Sequence, residues 1–440
     1  MKTKQRRLLG GWILTALVVG NMVGSGVFLL PATLAQYGTI SLFSWGITAL
    51  GALFLALVFA KLVTLFPKTG GPYIYCRESF GPFIGFQVAY NYWIYIWIGN
   101  AAIAVTFTAY LTAFWPGLAD QPALAFWLAA GAIWFFTVVN IIGVRFAGVL
   151  QLILTLLKFA PLILISLLGL FSIDVSNLKA FNVSGLPHST ALLNGAMLTL
   201  WAFLGLESAV IPADDVKNPK KTIPRATIWG TLLTAVVYMI STVAVMGVIP
   251  SAQLQASVAP FADLAGALFG PVGQLVIGAV AVISCLGALN GWILLQGQIP
   301  VAAARDELFP ARFGQLSKRH SPTFGIVLSS ALATLLLLLN FHQSLTKQFT
   351  FMISLATLAA LIAYLYTAAA EFAIYLKHPD KMERATIVQS LIVAALAFAY
   401  AFWALVGAGQ ETVFYGILLT FTSIPVYSWM QWRKYRLQKT

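Results

Sequence analysis

Few residues in this sequence could do chemistry, and they stand out because long apolar stretches surround them. Glu207 is the one acidic residue well inside such a stretch, whereas Glu371 lies near the end of another, where we expect it to reach water. A carboxylate deep in apolar surroundings is costly and marks a functional site by default. Glu207 could bind a cationic group or act as a proton-linked switch. Alternatively, it could accept hydrogen bonds from the freed backbone of its own helix.

Lys158 is the basic residue in a comparable position, in the apolar run from Leu154 to Pro161. It has no acidic neighbour in sequence, so its ammonium must donate to carbonyl groups or to Glu207, or else lose its proton. A fixed ammonium can also stand where a sodium ion would otherwise hold a broken helix to the bundle. Snorkelling to a membrane interface is disfavoured, because Lys158 is far from both ends of its apolar run.

Two apolar stretches contain residues that interrupt a regular helix, at positions 20–26 and 203–208. A break frees N–H and C=O groups, which must then face protein or a water-filled cavity. A helix that restarts at Gly24 to Gly26 would present N–H groups to a carboxylate, and carbonyls near Gly20 and in the second break could accept from an ammonium. This pairing suits the backbone of an α-amino acid. Alternatively, the glycines only allow close helix packing.

Two tryptophans and one helix face lie near these breaks. Trp201 directly precedes the second break and Trp292 follows a glycine, so either ring could stack on a cation or cover a site. Tyr92, Ile96 and Asn100 are spaced four residues apart and share one helix face. Asn100 could equally make an interhelical hydrogen bond.

The composition sets the environment in which these residues must act. The chain has 440 residues, of which 60% are hydrophobic and 9% charged, and its mean hydropathy is +0.87. So few charges exclude a soluble globular enzyme, a disordered chain and a coiled coil. Continuous apolar runs, in place of alternating ones, exclude an outer-membrane barrel. From Leu8 to Ala60 there is no charged residue, which is enough for two membrane helices. The sequence therefore predicts an all-α, polytopic membrane protein.

Apolar stretches bounded by charge, proline and glycine predict twelve transmembrane helices. With the N-terminus in the cytoplasm, all 26 lysines and arginines except Lys158, Lys179 and Lys347 fall in cytoplasmic loops or span ends. The positive-inside rule thus places both termini in the cytoplasm. The same rule explains the net charge of +13, so the charge does not indicate that the protein binds nucleic acid. The predicted spans are 9–33, 40–66, 81–114, 123–143, 147–172, 191–213, 226–249, 272–303, 323–341, 349–376, 385–406 and 411–432.

The two breaks fall in the first and sixth predicted spans, five spans apart. Broken helices at corresponding positions of two halves are typical of transporters with inverted repeats. We therefore predict one transporter domain over residues 1–440, with a 5+5 inverted repeat. Repeat one covers about 9–172, repeat two about 191–376, and helices 11 and 12 are appended at about 385–432.

The sequence carries no pattern typical of catalysis or of metal binding. The four histidines lie in loops or at span ends, and no nucleophile–base–acid set, P-loop or dinucleotide fingerprint is present. We therefore expect no enzyme, no cofactor and no metal. A signalling receptor would need a soluble output domain, and an ion channel would need repeated polar residues at a constriction.

At three stretches the sequence resembles the basic amino acid/polyamine antiporters of the amino acid, polyamine and organocation superfamily. These stretches are 20–31, 200–209 and 287–292, and the likeness extends to 217–220 and 364–366. The resemblance implies a twelve-helix fold, transport by alternating access and an inner-membrane location. It also suggests a homodimer.

Motif matches to this family imply roles for individual residues. The substrate's carboxylate and amine would be held by Asn21, Met22, Ser25 and Gly26. Trp201 would cover the substrate, Glu207 would be a pH-sensitive acid, and Tyr92 would be a gate tyrosine. Together with Lys158, these three form the predicted gating or coupling set. The predicted substrate-binding residues are Asn21, Met22, Ser25, Gly26, Ile96, Asn100, Trp201, Leu204, Glu207 and Trp292.

Some residues differ from those expected in the arginine-exchanging members of this antiporter family. Lys158 looks like a lysine of sodium-independent amino acid transporters elsewhere in the superfamily. Ala356 and Ala360 stand where hydroxyl groups are expected, and Tyr95 and Ile96 replace smaller residues. We therefore expect a sodium-independent exchanger of a basic amino acid for its polyamine or another amino acid. The alternative is a proton-coupled or facilitative carrier of neutral amino acids.

Overall fold

The structure is a computed structural model, and it describes residues 10–68, 70–142, 160–211, 213, 216–319, 321–377 and 384–437. The described residues form helices and no strands, which confirms the all-α prediction. The helices are α1 (Gly11–Met22), α2 (Ser25–Ala35), α3 (Ile40–Leu65), α4 (Pro72–Phe80), α5 (Pro82–Leu111), α6 (Pro122–Ile142), α7 (Ala160–Leu170), α8 (His188–Phe203), α9 (Pro219–Val248), α10 (Ser251–Ala256), α11 (Pro260–Arg305), α12 (Thr323–Asn340), α13 (Leu345–Lys377), α14 (Arg384–Val406), α15 (Gln410–Phe421) and α16 (Ser423–Leu437).

Eleven helical segments in the described part of the chain are long and apolar enough to cross a membrane. They match the predicted spans except the fifth, of which only the short apolar helix α7 is described. Lys158 lies in the preceding undescribed stretch, outside the described residues. The chain is therefore a multi-pass membrane protein, and its fifth span, and with it the count of twelve, stays a prediction.

The helices pack around α5, whose side chains are mostly buried and which contacts α11 and α13. On the other side of the bundle, α3 lies against α8 and α9. Buried hydroxyl groups connect neighbouring helices, as in the bonds Thr48–Thr199 at 2.7 Å and Thr137–Ser330 at 2.6 Å. Such bonds suit a membrane interior, where the surrounding hydrocarbon offers no hydrogen-bonding partner.

Both predicted breaks are present, and they face each other. Helix α1 ends at Met22 and α2 begins at Ser25, and α8 ends at Phe203 before a short 3₁₀ turn over Leu206–Ala209. Gly205 joins α8 to this turn with a φ of +107°, a conformation that favours glycine. These irregular segments therefore lie side by side in the protein interior, as the physics of freed backbone requires.

Three contacts hold the two breaks together. The Asn21 amide donates to Ser208 Oγ at 2.9 Å, which links α1 to the turn after α8. The Tyr238 hydroxyl on α9 lies 2.6 Å from the Met22 carbonyl and 3.0 Å from the Ala202 carbonyl. The single hydroxyl hydrogen of a third helix is thus shared between a carbonyl oxygen from each broken helix.

Glu371 differs from the sequence-based expectation that it reaches water. Its side chain is only 1% exposed, and it accepts a hydrogen bond from the Tyr375 hydroxyl at 2.9 Å. Helices α4 and α14 pack against α13, and Lys377 at the end of α13 donates to the Ser79 carbonyl at 2.7 Å. The expectation was wrong because these neighbouring helices cover the end of the span, which the sequence of α13 alone does not reveal.

Ion pairs cluster at the end of the bundle where α11 ends. Arg77 on α4 pairs with Asp306 at 3.2 Å, and Lys434 on α16 pairs with Glu307. The hydrogen bond and positive charge of Lys434 hold the pKa of Glu307 below its ordinary value. These contacts tie α4, α11 and α16 together on one face of the protein.

Candidate functional site

A small cavity lies between the two breaks. Helices α1, α2, α5, α8 and α11 contribute to its wall. The residues that line it are Asn21, Met22, Gly24, Ser25, Gly26, Tyr95, Ile96, Gly99, Ile103, Trp201, Leu204 and Trp292.

The structure brings together most of the residues that the sequence analysis assigned to substrate binding. Those lining the cavity are Asn21, Met22, Ser25, Gly26, Ile96, Trp201, Leu204 and Trp292, whereas Asn100 and Glu207 lie outside its wall. This shared placement makes the cavity the candidate site, and the role of each residue in binding stays a prediction. Four wall residues, Gly24, Tyr95, Gly99 and Ile103, were not among the predicted binding residues, although Gly24 belongs to the predicted break.

One end of the cavity is a helix start with an unused hydroxyl group. Ser25 is the first residue of α2, and no side chain caps this helix start. The Ser25 side chain is 2% exposed, and its Oγ has no hydrogen-bonding partner among the described residues. A helix start carries partial positive charge and free N–H groups. The hydroxyl and these N–H groups together could bind a carboxylate.

A helix end also contributes to the cavity wall, next to this helix start. Helix α8 ends at Phe203, with Trp201 and Leu204 in the cavity wall. The last carbonyl groups of a helix carry partial negative charge and lack helical partners. A helix start and a helix end at one cavity therefore offer opposite partial charges to the two ends of a zwitterion.

Aromatic rings form much of the remaining wall, and small residues let them approach. A methyl group on Gly26 would lie 3.1 Å from Trp201 Cδ1, and one on Gly99 would lie 2.9 Å from Trp201 Cη2. The Tyr95 and Trp292 rings meet edge to face, with centroids 5.4 Å apart. No charged side chain lines this cavity in the part of the chain that the structure describes. Ring faces are therefore the surfaces available to a cationic group.

Glu207 lies next to this site in a fully buried network. Its carboxylate accepts hydrogen bonds from the hydroxyls of Tyr92 on α5 and Tyr364 on α13, the latter at 2.5 Å, and from the Gly205 N–H at 3.1 Å. Tyr92 in turn packs edge to face against Tyr95 in the cavity wall, with centroids 5.3 Å apart. The network thus joins the second break to α5 and α13 and contacts the cavity through Tyr95.

Tyr364 is a member of this network to which sequence reasoning gave no role. It lies within the 364–366 stretch that carried part of the family resemblance, which was the available signal. Its bond to Glu207 spans 157 positions, so spacing could not predict it. The bond from the Gly205 N–H also shows that Glu207 partners the backbone of its own broken helix, one of the two readings that the sequence left open.

The Asn100 side chain bonds to a residue of another helix and does not line the cavity. Its amide donates to Gln296 Oε1 on α11 at 2.7 Å, and Gln296 donates to Ser330 Oγ on α12 at 2.9 Å. This is the interhelical bond that the sequence analysis weighed as an alternative. Ala356 and Ala360 are buried on α13 and do not line the cavity. A substrate contact by Asn100 stays a prediction.

A buried cavity between two broken helices of a multi-pass helical protein is typical of membrane carriers. No group of histidine, cysteine or acidic side chains within the described ranges could hold a metal ion. The family model for amino acid permeases matches residues 9–425. The chain therefore belongs to the amino acid permease family, and it is a transporter and not an enzyme.

Named relatives match over nearly the whole chain. A putrescine transporter, PotE, from Haemophilus influenzae is 35% identical over 428 residues, which cover 97% of both chains. A cadaverine/lysine antiporter from Escherichia coli is 34% identical over 408 residues, covering 91% of this chain and 90% of that protein. The Escherichia coli PotE is 33% identical over 415 residues, covering 94% of both chains. The family resemblance seen in the sequence is confirmed.

Proposed function

We propose that this protein is a sodium-independent exchanger in the bacterial inner membrane that trades a basic amino acid for a polyamine. The names of the relatives support this substrate class, since they are a putrescine transporter and a cadaverine/lysine antiporter. The observation that carries the proposal is the meeting of a helix start and a helix end at one buried cavity. Both termini lie in the cytoplasm, in accord with the distribution of lysine and arginine.

The cavity binds the two kinds of substrate through overlapping sets of contacts. The carboxylate of an amino acid sits at the start of α2, against Ser25 and the N–H groups around Gly26. Its ammonium sits near the end of α8. The cationic side chain lies against the rings of Trp201 and Trp292. A polyamine has no carboxylate and uses only the last two contacts.

Transport follows from two-state movement around this cavity. The twelve spans form a 5+5 inverted repeat, and one repeat moves against the other to open the cavity to either side. Exchange results if the loaded carrier changes state quickly and the empty carrier slowly. Glu207 and Tyr92 act as a gate beside the cavity, and Lys158 takes the place of a sodium ion. The family likeness also supports a homodimer.

Counterflow in proteoliposomes tests the exchange. Uptake of labelled lysine or ornithine is expected to rise roughly tenfold or more when cadaverine, putrescine or agmatine is inside, since conformational coupling of 1–3 kcal/mol spans about 5- to 150-fold. Replacing external sodium by choline should leave this rate unchanged. Uptake that does not depend on an internal amine would contradict obligatory exchange.

Neutral amino acids are the second candidate substrates. The absence of charged side chains from the described cavity wall favours this reading. Thermal-shift screening with the standard amino acids, agmatine, putrescine and cadaverine separates the two candidates. Stabilisation by neutral amino acids alone would exclude the basic exchanger.

Ser25→Ala tests the carboxylate contact without disturbing the fold. Because the hydroxyl has no partner within the described part of the chain, we expect the melting temperature to stay within error of the wild type. The KM for the amino acid should rise about 10-fold, as expected when a hydrogen bond to a charged group is lost. The KM for the polyamine should not change, since a polyamine lacks the carboxylate.

Ser284→Ala is the matched control for this variant. Ser284 is also fully buried with an unpartnered hydroxyl among the described residues, but it does not line the cavity. Both KM values should stay at the wild-type level in this control. Equal effects of Ser25→Ala on amino acid and polyamine would contradict the assigned contact.

A further inference from the structure

A second cavity opens on the outer surface of the bundle, away from the transport site. It is an open groove between α5, α12, α13 and α15. No residue of the central cavity wall lines the groove. The groove therefore needs an occupant of its own.

The body of the groove is apolar and concave. Leucines of α12 and α15 form its sides, and Leu335 and Leu418 are 50% and 48% exposed. Trp93 and Trp97 of α5 also line it and are less than one-tenth exposed. Because the surrounding medium is hydrocarbon, a flexible apolar chain fits this space better than water does.

The length of the groove corresponds to half of a membrane. Its lining runs along α15 from Glu411 to Thr422. At the helical rise of 1.5 Å per residue this is about 16 Å, against a hydrocarbon core about 30 Å thick. The groove thus spans one leaflet, which is the depth of one acyl chain.

The rim of the groove carries a charge at one end only, whereas the other end has the hydroxyls of Tyr90 and Thr422, which bond to each other at 2.9 Å. Asn340, Gln343 and Glu411 line the end where α12 ends and α15 begins. Glu411 has no ion-pair partner among the described residues, and no lysine, arginine or histidine lines the groove there. A free carboxylate beside amide groups suits a head group with an ammonium and a phosphate, and it disfavours a purely anionic head group.

We propose that this groove is a binding site for one phospholipid with a primary ammonium head group. One acyl chain lies between α5, α12 and α15, and the ammonium pairs with the Glu411 carboxylate. The amide groups of Asn340 and Gln343 donate to the phosphate. This site is independent of the proposed substrate, so its test does not depend on transport.

Lipid retention by the full-length protein tests the proposal. The protein is incubated in detergent with equal amounts of phosphatidylethanolamine and phosphatidylglycerol, washed, and analysed by native mass spectrometry. We expect one retained phosphatidylethanolamine per chain. Glu411→Gln should lower its retention roughly threefold, which is the scale of an exposed ion pair. Asp120→Asn removes an exposed acid elsewhere and should leave retention unchanged.

A second pair of variants separates binding in the groove from binding elsewhere. Leu335→Trp fills the groove and should lower retention, whereas Leu338→Trp places the same ring on the same helix at a residue that is 48% exposed and outside the groove. Equal retention of phosphatidylglycerol, or unchanged retention in Glu411→Gln and Leu335→Trp, would overturn the proposal. So would a cross-link between two copies through Leu335→Cys with no lipid retained, because a second copy would then fill the groove.

Discussion

Glu207→Gln is expected to lower the exchange rate roughly 10- to 100-fold, because hydrogen bonds to a charged group contribute about 1.5–3 kcal/mol each. The carboxylate accepts from Tyr92, Tyr364 and the Gly205 N–H. A glutamine amide offers one acceptor oxygen and a donor NH₂ group, so at least one tyrosine hydroxyl would have to turn from donor to acceptor, and no bond to a charged group would remain. The closed arrangement of α5, α8 and α13 around the cavity should therefore be destabilised.

The same variant should flatten the pH profile of exchange, because glutamine does not titrate. Initial rates of counterflow measured from pH 5 to pH 8 provide both readouts. Glu78→Gln is the control, because Glu78 is a half-exposed carboxylate in a surface pair with Lys68 at 3.5 Å. Exposed ion pairs of this kind contribute little to the stability of a protein. A wild-type rate and pH profile in Glu207→Gln would show that this carboxylate does not gate transport.

Gly205→Ala is the second change with a large expected effect. Gly205 has a φ of +107°, and a residue with a side chain pays about 1–3 kcal/mol for such a conformation. The added methyl group would also lie 3.3 Å from the backbone carbonyl carbon of Asn21 in the other break. Neither backbone segment can give way without moving the cavity wall. We expect a loss of exchange of roughly tenfold or more, together with a lower melting temperature.

Gly131→Ala distinguishes this effect from a general cost of replacing glycine. Gly131 lies inside α6, and a methyl group there would meet no atom within 4 Å. Alanine is a better helix former than glycine, by about 1 kcal/mol, so this control should keep full exchange and unfold at the same or a higher temperature. If both variants behaved alike, the break at Gly205 would not carry the function assigned to it.

The breaks were predictable because their causes are local. Glycines at positions 20, 24 and 26 weaken one helix, and Gly205 ends the regular part of another. Freed backbone in a membrane must meet protein or water, so two breaks at matching positions in the chain point to one shared cavity. For this reason most of the predicted binding residues line one cavity.

The partners of the polar side chains were not predictable in the same way. Asn100 bonds to Gln296 across 196 positions, and Glu207 bonds to Tyr364 across 157. Each bond depends on how two helices rotate and slide against each other. The burial of apolar surface drives helices to pack together. It does not fix how a helix is rotated about its axis when all of its faces are hydrophobic, because each rotation buries a similar apolar area.

The sequence by itself determined that the chain is an all-α membrane protein. It also indicated which apolar stretches are membrane helices, where two of these helices break, and to which family the chain belongs. These properties follow from hydropathy, glycine content and motif, which act over short stretches of chain. Only the tertiary structure decided that Glu371 is covered, that Tyr364 joins Glu207, and that an apolar groove opens beside Glu411. Each of these results from side chains of distant helices competing for the same space, and no local pattern encodes that outcome.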